Sequence, residues 1–482
     1  MRFDSLSFLA FAVVSAALIR CCNPGMLRHW VIAAVNLAFI GSFAAGPLEL
    51  IPLGGFVLFG YWAMLWGTRS LGIAVGLVVA LFVWLKKYNA FGSVPSLSFP
   101  YVSVGLSYVL FRVLHLTIDV AQGASRRPGP LEFWNYVLFF PSFVSGPIQR
   151  FQEFSSQAES ARKLEVAELD EAINRLLVGY LFIVIVAPLL LHLTEYRQLQ
   201  LYDQLSVSAR SWAVTTDFAA AATLYLFYLY FNFAGYMHIV IAIGTLAGFR
   251  LPENFNAPFR SANFLDFWSR WHITLADWFR YYLFNPLAKA LIGRWGTPGQ
   301  LPYLGAIAFF CTFLVMGIWH GTSRLFVVYG VMLAAGVTVN KVWQIEMAKR
   351  LGRDGYKRLT SNVLYRSVCR AAALSYFAVS LTCMWIDGPH RGFFLSRDGL
   401  VASVAAVVLL TVIGGALVLA TDFGGAGAAV VRERLNHGGA RTAAVDRDEP
   451  TGAAWVAAKI AIVAAALVLF GDAAPEFVYK AF

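Results

Sequence analysis

The sequence predicts an all-α, polytopic integral membrane protein. Hydrophobic residues make up 59% of its 482 positions and aromatic residues 15%, and the mean hydropathy is +0.64. Soluble domains contain about 45–50% apolar residues, so this excess indicates a chain that faces lipid. Apolar runs near the length of a membrane-spanning helix, about 20 residues, recur from the first residues to the last.

Polar connections of very different lengths separate the candidate spans. Several runs are shorter than a full membrane crossing, which is typical of re-entrant segments. We therefore expect about 11–13 true transmembrane helices, together with re-entrant or interfacial helices. The candidate runs are 3–19, 30–46, 50–67, 71–85, 99–118, 133–147, 174–194, 215–231, 235–249, 303–319, 325–343, 369–386, 399–421 and 453–471.

Positive charge in the connecting loops indicates how the chain is oriented. Lys and Arg residues cluster at 349–366 and again at 432–447, so both loops are expected on the cytoplasmic side. The first run follows Arg2 and is not followed by an A-x-A cleavage site, so it is predicted to be a first membrane span. We expect a multi-pass protein of the plasma (inner) membrane.

The net charge of +11 does not by itself indicate nucleic-acid binding. Basic side chains are scattered between apolar runs without a nucleic-acid-binding motif, so no nucleic-acid partner is expected. The five cysteines lack CxxC spacing and a histidine cluster, so neither a metal site nor a disulfide framework is expected. The sequence has no G-x-S-x-G, Walker A or H-E-x-x-H motif, which argues against a serine hydrolase, a P-loop ATPase and a zincin.

An aromatic stretch at 253–287, ENFNAPFRSANFLDFWSRWHITLADWFRYYLFNPL, contains His272. From 264 to 282 its apolar residues recur at helical spacing, and Asn263 can cap the resulting helix. Charged residues and a histidine would be costly against lipid tails, so this helix suits a membrane interface or a broken, re-entrant element. Two acid–base pairs at helical spacings support the helix, Asp266–Arg270 and Asp277–Arg280.

Two other segments place polar or helix-breaking residues within apolar surroundings. The run 306–318 is apolar throughout and leads into Trp319-His320-Gly321. A histidine there must find partners, because burial of an unpaired polar group costs roughly 2–7 kcal/mol. The sequence PSFVSGP at 141–147 places two prolines around a glycine, which predicts an interrupted helix.

These segments together resemble one protein family. NFAGY at 232–236, GFRLPENFNAPF, FWSRWHITLADWFR and MGIWHG at 316–321 are similar to the signature of the membrane-bound O-acyltransferase (MBOAT) superfamily. They most resemble its bacterial branch of alginate O-acetylation and teichoic acid D-alanylation proteins. FFPSFVSGPIQRFQEF at 139–154 resembles the upstream GPI motif of that branch, and PEFVYKAF resembles its usual C-terminus.

The resemblance implies a ring of helices around a central funnel and an O-acyltransferase activity. It implies that His320, in the WHG motif, is the catalytic residue and that His272 is the second signature position. Because a neutral imidazole can accept a hydroxyl proton, we assign His320 as the general base. We expect His272 to line the reaction channel. No tightly bound cofactor is expected, and the implied donor substrate is an acyl-CoA or acyl-carrier-protein thioester.

The implied reaction moves a small acyl group, such as acetyl or D-alanyl, from a cytoplasmic thioester to a hydroxyl of an extracytoplasmic cell-envelope polymer or partner protein. The expected partners are membrane lipid, a cytoplasmic acyl donor or carrier protein, and an extracytoplasmic transferase or acceptor protein. We expect one domain over 1–482. It comprises N-terminal helices at 1–98, a catalytic core with both signature histidines at 99–344, and C-terminal helices at 345–482.

Several further residues are candidates for lining the channel or binding substrate. These are Trp271, Trp319, Gly321, Arg270, Asn232, Tyr236, Glu253 and Asn254. Each polar residue among them, taken alone, favours a structural hydrogen bond over a role in the channel. Two positions depart from the family pattern, because Met237-His238 follow NFAGY and Tyr281 stands where an aspartate is more usual. His115, His192 and His238 are expected to be structural.

Two other functions fit parts of the sequence. A transporter or lipid flippase would use intramembrane His and Arg residues to bind ions or substrate, although no inverted repeat is recognisable. An inert scaffold of an envelope complex would need neither signature histidine. Thiol release from an acyl thioester distinguishes a transferase from both alternatives.

Overall fold

The computed structural model describes residues 5–88, 97, 99–160 and 163–437, with the isolated positions 461 and 465. Helices dominate these residues, and the strand-like pairing within them is a single bridge between Phe255 and Trp271. The predicted all-α class is confirmed. Apart from 461 and 465, the candidate span 453–471 lies outside the described residues, as does the PEFVYKAF segment.

Seven helices in the described part of the chain are long and apolar enough to cross a membrane. Many large apolar side chains on helix exteriors are exposed, including Val14, Leu58 and Leu417. Such a surface would aggregate in water and is suited to lipid, so a polytopic membrane protein is confirmed. The expected total of 11–13 spans stays a prediction. The seven helices are Pro47–Gly67, Val166–Val207, Trp212–Ala247, Leu301–Trp319, Arg324–Ser361, Val363–Trp385 and Arg397–Thr421.

The N-terminal quarter of the chain contains four apolar helices and a fifth, more polar one, against which the third and fourth pack. Helices α3 and α5 approach closely because α3 presents a glycine at the contact: a Cβ on Gly60 would lie 2.7 Å from Val113 Cγ1. A 3₁₀ turn at Pro47–Leu50 leads into α3. The helices are α1 (Leu6–Cys21), α2 (Met26–Gly41), α3 (Ile51–Gly67), α4 (Leu71–Leu85) and α5 (Leu106–Ala121).

The predicted span 133–147 is wrong, because the chain there is helical only in part. Helix α6 (Pro130–Val137) is followed by a 3₁₀ turn at Phe140–Ser142 and irregular backbone, before α7 (Phe151–Ala158). Prolines supply no N–H donor, so the helix cannot continue through this segment. The interruption predicted from the two prolines and the glycine is therefore confirmed.

Two predicted spans, 215–231 and 235–249, form one helix. Helix α10 (Trp212–Ala247) is continuous and ends where Gly248 adopts a left-handed conformation with φ 90°. Gly235 does not interrupt it, because this glycine packs against a neighbouring helix, where an added Cβ would lie 2.9 Å from the Gly179 carbonyl oxygen. That neighbour comprises α8 (Val166–Tyr180), a π-helical stretch (Leu181–Val186) and α9 (Ala187–Val207).

The aromatic stretch does not form the single helix predicted over 264–282. It forms α11 (Phe264–Trp268), then a break, then α12 (Ile273–Phe279), a π-helical stretch (Arg280–Phe284) and α13 (Asn285–Trp295). The predicted cap is present, since Asn263 Oδ1 accepts a hydrogen bond of 3.1 Å from the Asp266 N–H. The broken-element interpretation is therefore correct and the continuous helix is not.

The C-terminal helices are built on an antiparallel pair, α14 and α15. Tyr303, near the start of α14, hydrogen-bonds Glu346 on the distal part of α15. The two helices cross at a glycine pair, where a Cβ on Gly317 would lie 2.2 Å from Gly330 Cα. The helices are α14 (Leu301–Trp319), α15 (Arg324–Ser361), α16 (Val363–Ser380), α17 (Thr382–Trp385), α18 (Arg391–Phe394) and α19 (Arg397–His437).

Gly317→Ala is expected to destabilise the protein, because its new methyl group meets backbone that cannot rotate away. Overpacking of this kind costs about 1–3 kcal/mol. Thermal unfolding in detergent, followed by loss of the monodisperse chromatographic peak, measures the effect. Gly305→Ala on the same helix is the control, because no atom lies within 4 Å of its Cβ. Equal midpoints for the two variants would contradict the close crossing.

Candidate active site

An irregular segment inside the bundle brings α10 and the aromatic stretch together. Asn254 is fully buried, and its Oδ1 accepts hydrogen bonds from the Thr274 N–H at 3.0 Å and the Thr274 hydroxyl at 2.7 Å. The Ile273 N–H donates to the Asn254 carbonyl at 3.0 Å. Buried backbone outside a helix needs such partners, and the asparagine supplies them. Its Nδ2 also contacts the Met237 sulfur at 3.0 Å, which ties the segment to α10.

His272 lies at the break between α11 and α12. It is 1% exposed and has φ 48° and ψ 50°, a left-handed conformation that is rare for a residue with a side chain. The surrounding structure holds it there, because its carbonyl accepts from the Leu275 and Ala276 N–H groups and the Phe255–Trp271 bridge precedes it. Strained backbone of this type costs of order 1–3 kcal/mol and is concentrated at functional sites.

The imidazole of His272 contacts two aromatic side chains. Its Nε2 lies 3.4 Å from the Tyr108 hydroxyl, and its ring packs edge-on against Phe233 at 4.8 Å between centroids. The Tyr108 ring also packs against Trp319 at 5.9 Å, and α5 meets the 139–147 segment at Gly105, where an added Cβ would lie 2.8 Å from Phe143 Cε1. The start of α5 therefore connects the irregular 139–147 segment with the surroundings of both signature histidines.

His320 follows the last residue of α14 and is 5% exposed. Its Nδ1 lies 2.7 Å from the Met316 carbonyl oxygen, one helical turn back. A carbonyl only accepts hydrogen bonds, so Nδ1 carries the proton and the lone pair of a neutral ring is on Nε2. The ring packs edge-on against Trp319 at 5.0 Å and Tyr329 at 5.5 Å. The two signature imidazoles are also close enough to interact electrostatically.

Two depressions approach this region from different directions. One of 480 Å³ lies beside the middle and C-terminal part of α14, and Ile273 and Met316 line it. Lys341 also lines it, about 25 Å along α15 from Arg324 at 1.5 Å per residue. The other, of 540 Å³, lies beyond the end of α14 and is lined by Gly321. Residues next to, or hydrogen-bonded to, the signature histidines therefore border both depressions.

The sequence motifs around His272 and His320 therefore form one buried region of the bundle. Residues 55–381 match the membrane-bound O-acyltransferase family, and this range includes His272 and His320. The chain belongs to the MBOAT family. Its bacterial relatives support the branch indicated by the sequence motifs.

Three relatives illustrate the similarity. The teichoic acid D-alanyltransferase of Streptococcus thermophilus is 29% identical over 267 residues, or 54% of this chain and 62% of that protein. That of Bacillus subtilis is 31% identical over 242 residues, 49% and 58% of the two chains. A protein named "probable alginate O-acetylase" from Azotobacter vinelandii is 29% identical over 352 residues, 68% and 66% of the two chains. This chain thus spans 58–66% of the length of these relatives.

The other candidates of this MBOAT chain fall into two groups. Trp271, Trp319, Asn232, Tyr236 and Asn254 are buried with the histidines. Gly321 is sterically required, because a Cβ there would lie 2.1 Å from Phe326 Cε2.

Arg270 and Glu253 lie further out. Arg270 pairs with Asp266 at 2.9 Å, and Glu253 pairs with Arg175 at 2.5 Å with half of its side chain exposed. These contacts favour structural roles at the edge of the bundle for both residues.

Arg112 was missed in the sequence although a signal was present. It is 2% exposed on α5, and its guanidinium donates to the Val137 carbonyl at 3.0 Å and to the Ser142 carbonyl and hydroxyl at 2.7 and 2.6 Å. It thereby satisfies the carbonyl groups that the interrupted helix leaves open. An arginine inside an otherwise apolar run should have marked α5 as facing protein and not lipid.

His115 is buried, as expected of a structural histidine, and takes part in a defined hydrogen-bond chain. The Phe151 N–H donates to its Nε2 at 3.3 Å, so Nδ1 carries the proton and donates to the Tyr282 hydroxyl at 2.7 Å. Tyr282 donates in turn to Asp119 at 2.9 Å. This chain fixes the start of α7 against the π-helical stretch at Arg280–Phe284.

Asn254→Ala is expected to lower the free energy of unfolding by about 1–3 kcal/mol, because the buried Thr274 N–H loses its acceptor. Thermal unfolding of purified protein in detergent measures the loss. Asn256→Ala is the matched control, because that side chain is exposed two positions away. If both variants unfold at the wild-type temperature, Asn254 does not hold the irregular segment.

Proposed function

We propose that this MBOAT protein is an O-acyltransferase that moves a small acyl group, acetyl, D-alanyl or similar, from a cytoplasmic thioester donor to a hydroxyl. The hydroxyl belongs to an extracytoplasmic cell-envelope polymer or to a partner protein. The donor is an acyl-CoA or acyl-carrier-protein thioester, and no tightly bound cofactor takes part. The protein acts in the plasma (inner) membrane beside an extracytoplasmic transferase or acceptor protein.

The orientation of the His320 ring carries this proposal. The hydrogen bond from Nδ1 to the Met316 carbonyl selects the tautomer whose Nε2 can accept a proton. A general base needs a defined lone pair beside the reacting hydroxyl, and the end of α14 supplies one in a buried position. The names of the relatives, a D-alanyltransferase and a probable O-acetylase, agree with acyl transfer to an envelope polymer.

In the proposed reaction, Nε2 of His320 takes the acceptor's hydroxyl proton as the oxygen attacks the thioester carbonyl carbon. The carbon–sulfur bond then breaks, and the departing thiolate receives the proton from the imidazolium. The products are an ester and a free thiol. The donor approaches along the depression bordered by Met316 and Ile273, and the acceptor along the one bordered by Gly321.

His272 serves this reaction by position. Its buried, strained backbone holds the imidazole near His320, where it orients the donor or acceptor or polarises the thioester carbonyl. Tyr108 contacts His272 and packs on Trp319, the residue before His320, and so helps to fix the relative positions of the two histidines. The loss of His272 should therefore reduce transfer strongly without removing the base.

His320→Ala is expected to abolish thiol release from a labelled acyl thioester, and His272→Ala to reduce it strongly. General-base catalysis typically contributes about 10²–10⁴-fold, so residual release of the His320 variant should be at least 100-fold below wild type. Purified protein in detergent, the thioester and a thiol-reactive dye give the rate. His192→Ala, an exposed histidine on α9, is the matched control and should keep wild-type release.

The alternatives predict different results for thiol release, for flux and for function in cells. Equal rates above background for wild type and His320→Ala would refute the assigned base. Substrate flux across vesicles without thiol release would identify a transporter or flippase. A scaffold would keep cellular function in both the His320→Ala and His272→Ala variants.

A further inference from the structure

The depression beyond the end of α14 differs from its counterpart in charge. Three basic side chains border its 540 Å³, together with hydroxyl groups, and none of its lining residues is acidic. The basic residues are Lys86, Lys87 and Arg391, and the hydroxyl residues are Tyr101, Ser103, Thr322 and Ser323. In contrast, the lining of the other depression, bordered by Met316, contains the acidic residue Asp277 as well as basic residues.

Two of these cations are not neutralised by carboxylates of the described residues. Lys87 places its Nζ over the Tyr101 ring at 5.0 Å from the centroid, and Arg391 forms no ion pair within the described part of the chain. Both side chains are exposed at the depression. Ammonium and guanidinium groups that face one concave surface without counter-charges attract and hydrogen-bond anionic oxygens.

The basic depression is adjacent to the proposed general base. Gly321, the residue after His320, lines it directly, and so does Phe326, whose ring packs against Tyr329 at 6.4 Å. Tyr329 in turn packs against the His320 ring at 5.5 Å. A molecule bound to Lys87 and Arg391 would thus occupy a depression whose lining includes the residue that follows His320.

The positions of the basic residues along α15 also indicate which side of the membrane the depression faces. The basic cluster at 349–366, expected on the cytoplasmic side, is at the far end of α15 from Arg324, where the depression lies. The depression therefore faces the expected extracytoplasmic side. This is the side from which the acceptor, and not the thioester, reaches the site in the proposed function.

We propose that Lys86, Lys87 and Arg391 form an anion-binding site for the acceptor, which carries carboxylate or phosphate groups close to the hydroxyl that is acylated. This inference rests on the proposed function for the identity of the acceptor, but the site itself is testable without turnover. Arg391 offers a planar donor pair for a carboxylate or phosphate, whereas the lysines act as point charges. Binding should weaken as salt screens these exposed charges.

Equilibrium binding tests the site directly. Fluorescein-labelled trigalacturonate and a labelled glycerol phosphate trimer are titrated with purified protein in an uncharged detergent, and labelled maltotriose serves as the neutral probe. We expect salt-sensitive binding of at least one anionic probe and none of maltotriose. Lys87→Gln and Arg391→Gln should each weaken binding about threefold to tenfold, and Lys87→Arg should retain it.

Two controls separate this inference from the proposed function. Lys357→Gln removes an exposed cation at the opposite end of α15 and should bind the probes like wild type. His320→Ala should also bind them normally, so a failed thiol-release assay leaves the binding result intact. Phosphatidylglycerol added to the detergent micelle could displace the probe to the same extent in all variants. The anion that the site binds would then be a lipid headgroup. That result, no anion binding by wild type, or wild-type affinity in both Lys87→Gln and Arg391→Gln would overturn the inference.

Discussion

The candidate site depends on the hydrogen bonding of non-helical backbone inside an apolar bundle. Asn254 anchors the start of α12 at the aromatic break, because its single amide oxygen accepts from both the N–H and the hydroxyl of Thr274. Without these bonds, several buried N–H and C=O groups would have no water and no helix to satisfy them, at a cost comparable to much of the net stability of a domain. The unusual backbone at His272 persists because this network is complete.

The second irregular segment is satisfied by different chemistry. Where Pro141 ends the helical pattern, the guanidinium of Arg112 hydrogen-bonds the open carbonyl oxygens. A buried cation is tolerable in such surroundings when its donors are used. Two broken elements, one held by an amide and one by an arginine, therefore lie near Tyr108, whose hydroxyl contacts His272 and whose ring packs against Trp319.

Composition, helix spacing and motifs were sufficient to predict the fold class and the two histidines of the candidate site. Contacts between residues far apart in the sequence could not be predicted in the same way. Asn263 was correctly identified as a cap because capping is a local interaction. The sequence indicated a broken element, but the position of the break at His272 could not be predicted, because Asn254, outside the predicted helix 264–282, stabilises it. The continuity of α10 through Gly235 depends similarly on the close approach of α8. The basic depression combines side chains from three distant segments, so no single stretch of sequence indicated it.

The 36 residues of α10 have a consequence for the shape of the protein. At 1.5 Å per residue the helix is about 54 Å long, whereas the hydrocarbon layer is about 30 Å thick. Even a tilt of about 40° would leave it roughly 10 Å too long for that layer. Part of α10 must therefore extend into the lipid headgroup region or beyond it. There it forms a rigid helical projection of defined length at the membrane–water interface.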